Sequence, residues 1–429
     1  MADSGAGIDR LGVDDLMSLS GDHGTVPMQV GGVLWFGPDA PGVADLTDHL
    51  AGRLPAAPRL RQVLTGQPFG CGRPVWVDDP RFALEEHLRV AEVADPKQVD
   101  RVALDLLADP LPRDRPLWAG RIVTGPDGAV LALVLVMHHV LADGLAALAL
   151  LATLSDGPAP AADDFPRPAP TRRELAVDNV RGRLRALRGL PAAALHLVLA
   201  GRMIASGGRA PRTSLNQPTG TRRTLGTVAA DLRDVRRGAH AHGGTVNDAA
   251  LAVATGALHA LLEGRGEEVD ELVVSVPFAY RLPGQVTGNA SAVMPLRLPA
   301  SGDLAARIGA IAEVTRAAKR RPRTLSNTLL RPGFGLLVRL GLFRRFIDSQ
   351  RMVNLVATNV RGPIEPLSIA GRPVRRIVPL TSATGNLTVV LAVLSYAGDL
   401  TITAIADADA VPDFEGLLTA LGAELAGLA

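Results

Sequence analysis

The nine residues from Ala129 to Met137 are all apolar, and two histidines follow them. A branched-rich run of that length with no polar break reads as a strand buried on both faces. Residues 145–154, Leu-Ala-Ala-Leu-Ala-Leu-Leu-Ala-Thr-Leu, read as a buried helix just beyond it. The chain is therefore read as mixed α/β. Its 429 residues make two domains the default. The composition shifts sharply at 156–170, which is rich in Pro, Ala and Asp and reads as a linker. The main boundary is placed there, giving units at 1–155 and 213–429 joined by a 156–212 crossover.

Residues 172–209 are expected to be helical and rich in arginine, with an apolar tract at 189–200. From Arg222 onward strands and helices alternate. Leu272–Pro277 reads as a short strand. Thr245-Val246-Asn247-Asp248 is a good capping cluster for a helix over Asn247–Leu262. Strands at 388–394 and 400–405 are joined by the turn signal Ala397-Gly398-Asp399. A tail helix starts near Pro412 and Asp413.

Hydrophobic residues make up 47% and charged residues 21%, which argues against a disordered chain. A net charge of only +2 supplies no basic field for nucleic acid. The single cysteine, Cys71, excludes a disulfide framework within the chain. The N-terminus lacks a charged-then-apolar signal peptide. No apolar run reaches the roughly 18–20 residues of a membrane span. These features predict a cytoplasmic protein, with a peripheral place on the inner face of the plasma membrane left open.

The chemistry concentrates in His138-His139-Val140-Leu141-Ala142-Asp143-Gly144. Adjacent strand residues point to opposite faces, so only one histidine is expected to meet substrate. A neutral imidazole near pKa 6.5 can take a proton from an attacking hydroxyl and return it to a leaving thiolate. No enzyme nucleophile is needed if both substrates bind together. The sequence has no Gly-x-Ser-x-Gly elbow, and Cys71 has no local partner. Taken singly, Asp143 could be a helix N-cap and Gly144 a tight-turn residue. The spacing of the whole set points to catalysis.

This motif resembles that of the coenzyme A-dependent acyltransferase superfamily. The resemblance implies His139 as general base, His138 as support, Asp143 as a structural ion and Gly144 as the residue leaving substrate access. Further blocks resemble one branch, the bacterial wax ester synthase/diacylglycerol acyltransferase family. They are Arg115-Pro116-Leu117-Trp118, Thr213 to Asn216, Thr245 to Asp248, and Val276-Pro277 through Arg281 to Gly288-Asn289. Asn359 to Pro363, Leu394 to Gly398 and Asp407 to Pro412 continue the series. Gly12-Val13-Asp14-Asp15 departs from that family's Pro-Leu-Asp opening, and Arg361 stands where it has proline. These departures bear on the acceptor more than on acyl transfer.

The implied fold is a two-lobed chloramphenicol-acetyltransferase-like α/β fold. Each lobe has a mixed sheet with flanking helices, and an active-site tunnel runs between them. The implied function is an O-acyltransferase. It would move a long-chain acyl group from acyl-coenzyme A, a co-substrate, to a diacylglycerol or fatty alcohol. Alternatives are a secondary-metabolite or glycolipid hydroxyl as acceptor, a catalytically silent acyl-coenzyme A-binding protein, and a peptide-synthetase condensation domain. Arg281 is the candidate partner of Asp143, with Arg115 its competitor and a plain surface arginine the third option. Asn289 is either a contact to the thioester oxygen or the acceptor, or a turn residue. Asn247 and Asp248 are expected to be caps.

No metal or resident cofactor is expected, since His240 and His242 lack a third ligand at usual spacing. Two arginine-dense stretches, 172–212 and 316–351, suit either an anionic membrane or lipid-droplet surface or helices packed on their own lobe.

Overall fold

A computed structural model describes residues 8–22, 27–158, 161, 164–188, 209–279, 291–320, 334–383 and 385–429. The first part of the chain supplies β1 (Gln29–Trp35), β2 (Gln62–Thr65), β3 (Val75–Asp78), β4 (Leu88–Glu92), β5 (Trp118–Thr124) and β6 (Val130–His138). Its helices include α1 (Val13–Gly21), α2 (Val43–Arg53), α3 (Val99–Ala108), α4 (Gly144–Leu154) and α5 (Arg172–Arg188). The second part supplies β7 (Arg223–Asp231), β8 (Glu271–Ala279), β9 (Ser291–Pro299) and β10 (Leu355–Arg361). Then come β11 (Ser368–Ile369), β12 (Arg372–Pro373), β13 (Arg376–Thr381), β14 (Val389–Tyr396) and β15 (Asp399–Asp407).

Two mixed sheets organise these strands. The first has the order β13-β1-β6-β5-β4, and the second β7-β15-β14-β10-β8-β9. Only β4–β5 is a parallel pair in the first, and only β10–β14 and β8–β10 in the second. The fold is thus two-lobed, as the sequence resemblance implied. One feature lies outside that expectation. β13 comes from the C-terminal part of the chain, yet it pairs antiparallel with β1 and completes the first sheet. The two sheets are therefore tied by a strand that crosses from one part of the chain to the other.

The apolar run explains its own strand. Leu133, Leu135 and Met137 pack into one core with α2 and α4 residues. Ala132, Val134 and Val136 pack into another with α3, β13 and the second-sheet residues Val390 and Ile405. Both faces of β6 are covered, which is why no polar residue interrupts it. The second lobe's core centres on the helix Val246–Gly264, whose buried residues share one cluster with residues of β8, β10, β14 and β15. Thr245 opens that helix through a reciprocal cap with Asp248, Thr245 N–H donating to Asp248 Oδ2 at 2.8 Å. Ala397 (φ 51°) and Gly398 (φ 96°) make the tight β14–β15 turn.

Candidate active site

β6 delivers the motif to the end of the first sheet. His138 is its last residue and is 3% exposed, on the side opposite the face that lines the cavity. His139 follows, partly accessible, on the wall of a cavity between the two sheets. Its backbone N–H donates to the Met28 carbonyl at 2.7 Å, and Leu141 N–H closes the turn on the His138 carbonyl at 2.8 Å. Asp143 then caps α4: its Oδ1 accepts Ala146 N–H at 2.9 Å. Gly144 is the first residue of α4. A Cβ there would come 2.9 Å from Val360 Cγ2 on β10, so glycine allows the helix start of one lobe to approach a strand of the other.

His138 is held by its surroundings. Its Nδ1 accepts Val140 N–H at 3.0 Å, so that nitrogen is unprotonated and the ring proton sits on Nε2. Nε2 lies 3.2 Å from Asp22 Oδ2. Burial pushes the Asp22 carboxyl up. His138, the Met28 N–H and Arg113 outweigh that and bring it down to about 2. For His139, burial is the largest influence and pulls the imidazole below its ordinary value; Asp143 and Asp15 push the other way and lose. A lowered pKa keeps this imidazole neutral, the form a general base requires.

The cavity measures ≈ 570 Å³, within the roughly 300–1,000 Å³ usual for small-molecule sites. Its walls come from β1 and β6 on one side and β10 and β14 on the other. α4 lines it with Leu145, Leu148 and Leu151. This explains a departure from the fully buried helix read from the sequence. Several apolar α4 residues on the cavity wall, such as Leu145, Leu148 and Leu150, are only half-buried, while Leu151 and Leu154 are buried. An aromatic trio, Phe334, Phe343 and Phe346, forms another part of the wall, with ring centroids 5.6–6.4 Å apart. Asn359 is one of the few polar groups there, and its Nδ2 donates to Asn247 Oδ1 at 3.1 Å.

Two expectations for single residues need correcting. Arg115 does not reach Asp143; it pairs with Glu86 and lies 3.3 Å from Asp114, because the Arg115-Pro116-Leu117-Trp118 block turns it outward. Asp248 is a cap, but Asn247 is a side-chain partner of the cavity residue Asn359. Arg281 and Asn289 lie outside the described residues. Asp22 escaped sequence reading altogether, since nothing in its local pattern marks a partner 116 positions away.

Asp143→Ala removes a buried cap from a helix that lines the cavity. It is expected to cost about 0.5–2 kcal/mol of stability and to lower the activity that the sequence resemblance implies. Thermal unfolding checks this: an unchanged midpoint with lost turnover would contradict the capping role.

Comparison with known proteins adds independent findings. Residues 11–250 match the family model described as "Wax ester synthase/diacylglycerol acyltransferase catalytic domain". Residues 287–429 match "WS/DGAT C-terminal domain". A probable diacylglycerol O-acyltransferase of Mycobacterium tuberculosis is 33% identical over 412 residues, covering 90% of this chain and 88% of that protein. A putative diacylglycerol O-acyltransferase of the same organism is 30% identical over 393 residues, covering 84% and 78%. Among solved structures, the wax ester synthase/diacylglycerol acyltransferase from Marinobacter aquaeolei VT8 superposes with a TM-score of 0.70 at 23% identity, covering 98% of each chain. The first condensation domain of the CDA synthetase gives 0.63 at 19% identity, covering 98% and 96%. These two likenesses speak to the fold.

Proposed function

This chain belongs to the wax ester synthase/diacylglycerol acyltransferase family, and from that premise we propose that its acyl transfer runs at His139. The protein is an acyl-coenzyme A-dependent O-acyltransferase. Its donor is a long-chain acyl-coenzyme A, and its acceptor is the hydroxyl of a diacylglycerol or long-chain alcohol. The observation that carries the assignment is the position of His139 on the wall of an apolar cavity between the sheets, beside the start of α4.

In this reading the acceptor oxygen attacks the thioester carbonyl carbon while a ring nitrogen of His139 takes the hydroxyl proton. The tetrahedral intermediate collapses, the carbon–sulfur bond breaks, and the imidazolium protonates the departing thiolate. The products are an ester and free coenzyme A, and no acyl group is carried on the enzyme. An apolar wall suits two lipid tails and keeps water, a competing acceptor, from the thioester. Asp143 acts structurally, holding α4 against the motif, with Arg281 its proposed ionic partner. Gly144 keeps the passage beside Val360 clear.

The test is thiol release from palmitoyl-coenzyme A by purified protein, with a diacylglycerol and hexadecanol offered in parallel. Acceptor-dependent release supports the reading and identifies the acceptor class. Binding of the donor without release, whatever the acceptor, would instead support a silent binding protein. The pH profile gives a second check. His139 is lowered by burial, so the acid limb of kcat/KM is expected below the ordinary histidine value of about 6.5. An acid limb above that value contradicts His139 as the base.

We also propose that the enzyme works at an anionic lipid surface, a membrane or lipid droplet. Among the described residues no single helix is long and apolar enough to cross a membrane. Support comes from α5, where Val177, Val180, Leu184 and Leu187 are 42–58% exposed at helical spacing. Exposed Arg181, Arg183 and Arg185 surround them. Leu336, Leu340 and Leu342 are likewise exposed near Arg339, Arg344 and Arg345. Leu184→Asp with Leu187→Asp is expected to weaken sedimentation with phosphatidylglycerol vesicles; equal binding would leave α5 a solvated helix.

A further inference from the structure

We infer that Asp22 is a positioning residue for His139, acting through His138 and Met28; this rests on the reading of His139 as the base. Asp22 directly follows α1, and each carboxylate oxygen has its own task. Oδ1 accepts the Met28 N–H at 3.2 Å. Oδ2 accepts Arg113 Nη2 at 2.6 Å and lies 3.2 Å from His138 Nε2. Met28 is thereby held at both ends, since its carbonyl accepts the His139 N–H at 2.7 Å. On the other side of the motif, His138 Nδ1 accepts Val140 N–H at 3.0 Å. The backbone of His139 thus sits between two fixed neighbours. The links run His139 N–H to Met28, Met28 N–H to Asp22, Asp22 to the His138 ring, and that ring to Val140.

The arrangement accounts for both histidines of the pair. His138 accepts the Val140 N–H at Nδ1, has Nε2 3.2 Å from Asp22 Oδ2, and faces away from the cavity, so its role is to hold the turn. It also ties the catalytic turn to α1. Met17, Ser18 and Gly21 of α1 line the same cavity, and α1 packs against the helix Phe343–Asp348. The carboxylate is needed rather than its shape. An asparagine of the same size has one acceptor and one donor head. Whichever way it turns, an N–H faces either the Met28 N–H or the His138 Nε2–H and Arg113 group.

The test is Asp22→Asn, assayed on palmitoyl-coenzyme A and the preferred acceptor well below each variant's own melting midpoint. A base misplaced by about 1 Å loses on the order of 10²-fold in kcat, with KM for both substrates within about twofold. His138→Ala is expected to give a similar loss. The double variant should be no worse than the poorer single, because both cut one chain of contacts. A double loss equal to the product of the singles overturns the network. So does wild-type kcat in folded Asp22→Asn, or a loss that vanishes once the assay temperature is lowered. If Asp22→Asn yields no folded protein, His138→Ala carries the test with the same readouts. His139→Ala, run alongside, separates the two levels. Full turnover in that variant removes the base assignment itself; a dead His139→Ala with unimpaired Asp22→Asn removes only the positioning role.

Discussion

His139→Ala is expected to lower kcat by about 10²–10⁴-fold while leaving the thermal midpoint nearly unchanged. The two halves of this expectation have separate physical causes. The imidazole faces the cavity, and a bond that helps fix the residue in the fold, its backbone N–H to the Met28 carbonyl, is kept by alanine. Burial already lowers the pKa of this ring, so the wild-type base is neutral at physiological pH and its removal deletes a working group. Among the described residues no other histidine lines the cavity wall, so no neighbouring imidazole takes over the proton. The measurement is steady-state thiol release against both acceptors, with circular dichroism on the same preparations. Turnover within about threefold of wild type would remove the base assignment, since general-base catalysis rarely contributes so little.

Gly31→Ala is expected to be the most damaging of the small substitutions, costing at least about 3 kcal/mol. Gly31 pairs with Val136 across β1 and β6. A Cβ on it would overlap the Leu135 carbonyl oxygen, which is backbone within a sheet and has nowhere to go. Its neighbour supplies the control. A Cβ on Gly32 would stand 3.5 Å from Ile377 Cγ2 and from the Val378 oxygen, ordinary contact distances. Gly32→Ala should therefore stay within about 1 kcal/mol of wild type. Strand propensity would even favour it, by roughly 0.5–1 kcal/mol. Guanidinium unfolding of the two variants checks the contrast. Equal stability of both would mean that the strand shifts to absorb the methyl group.

What the sequence revealed follows from how local each signal is. β6 and α4 were legible because burial writes itself into a continuous apolar run. The capped start of the helix at Val246 was legible because its cap and its partner are three residues apart. β13 was not, since its six residues carry no mark of which sheet they join, and their register with β1 is set by packing across about 350 positions of chain. A separation of 116 positions likewise hid Asp22 from His138. Arg115 was read as a competing partner of Asp143, but Glu86 stands beside it in space. The pair Asn247 and Asn359 shows the limit from another side. A residue at the start of a helix can cap or can reach across, and only the neighbouring strand decides.

The placement of β13 also orders the birth of the molecule. The ribosome releases β1, β4, β5 and β6 early, but the first sheet lacks its outer strand until residue 381 has emerged. Until then one side of β1 offers unpaired N–H and C=O groups, the feature that recruits foreign strands in crowded solution. The nascent half that carries the histidine pair is therefore exposed for most of translation. Closing it is a long-range step, slow for reasons of chain entropy. Maturation of the active site is thereby tied to synthesis through Thr381, and a chain terminated before β13 keeps that open flank.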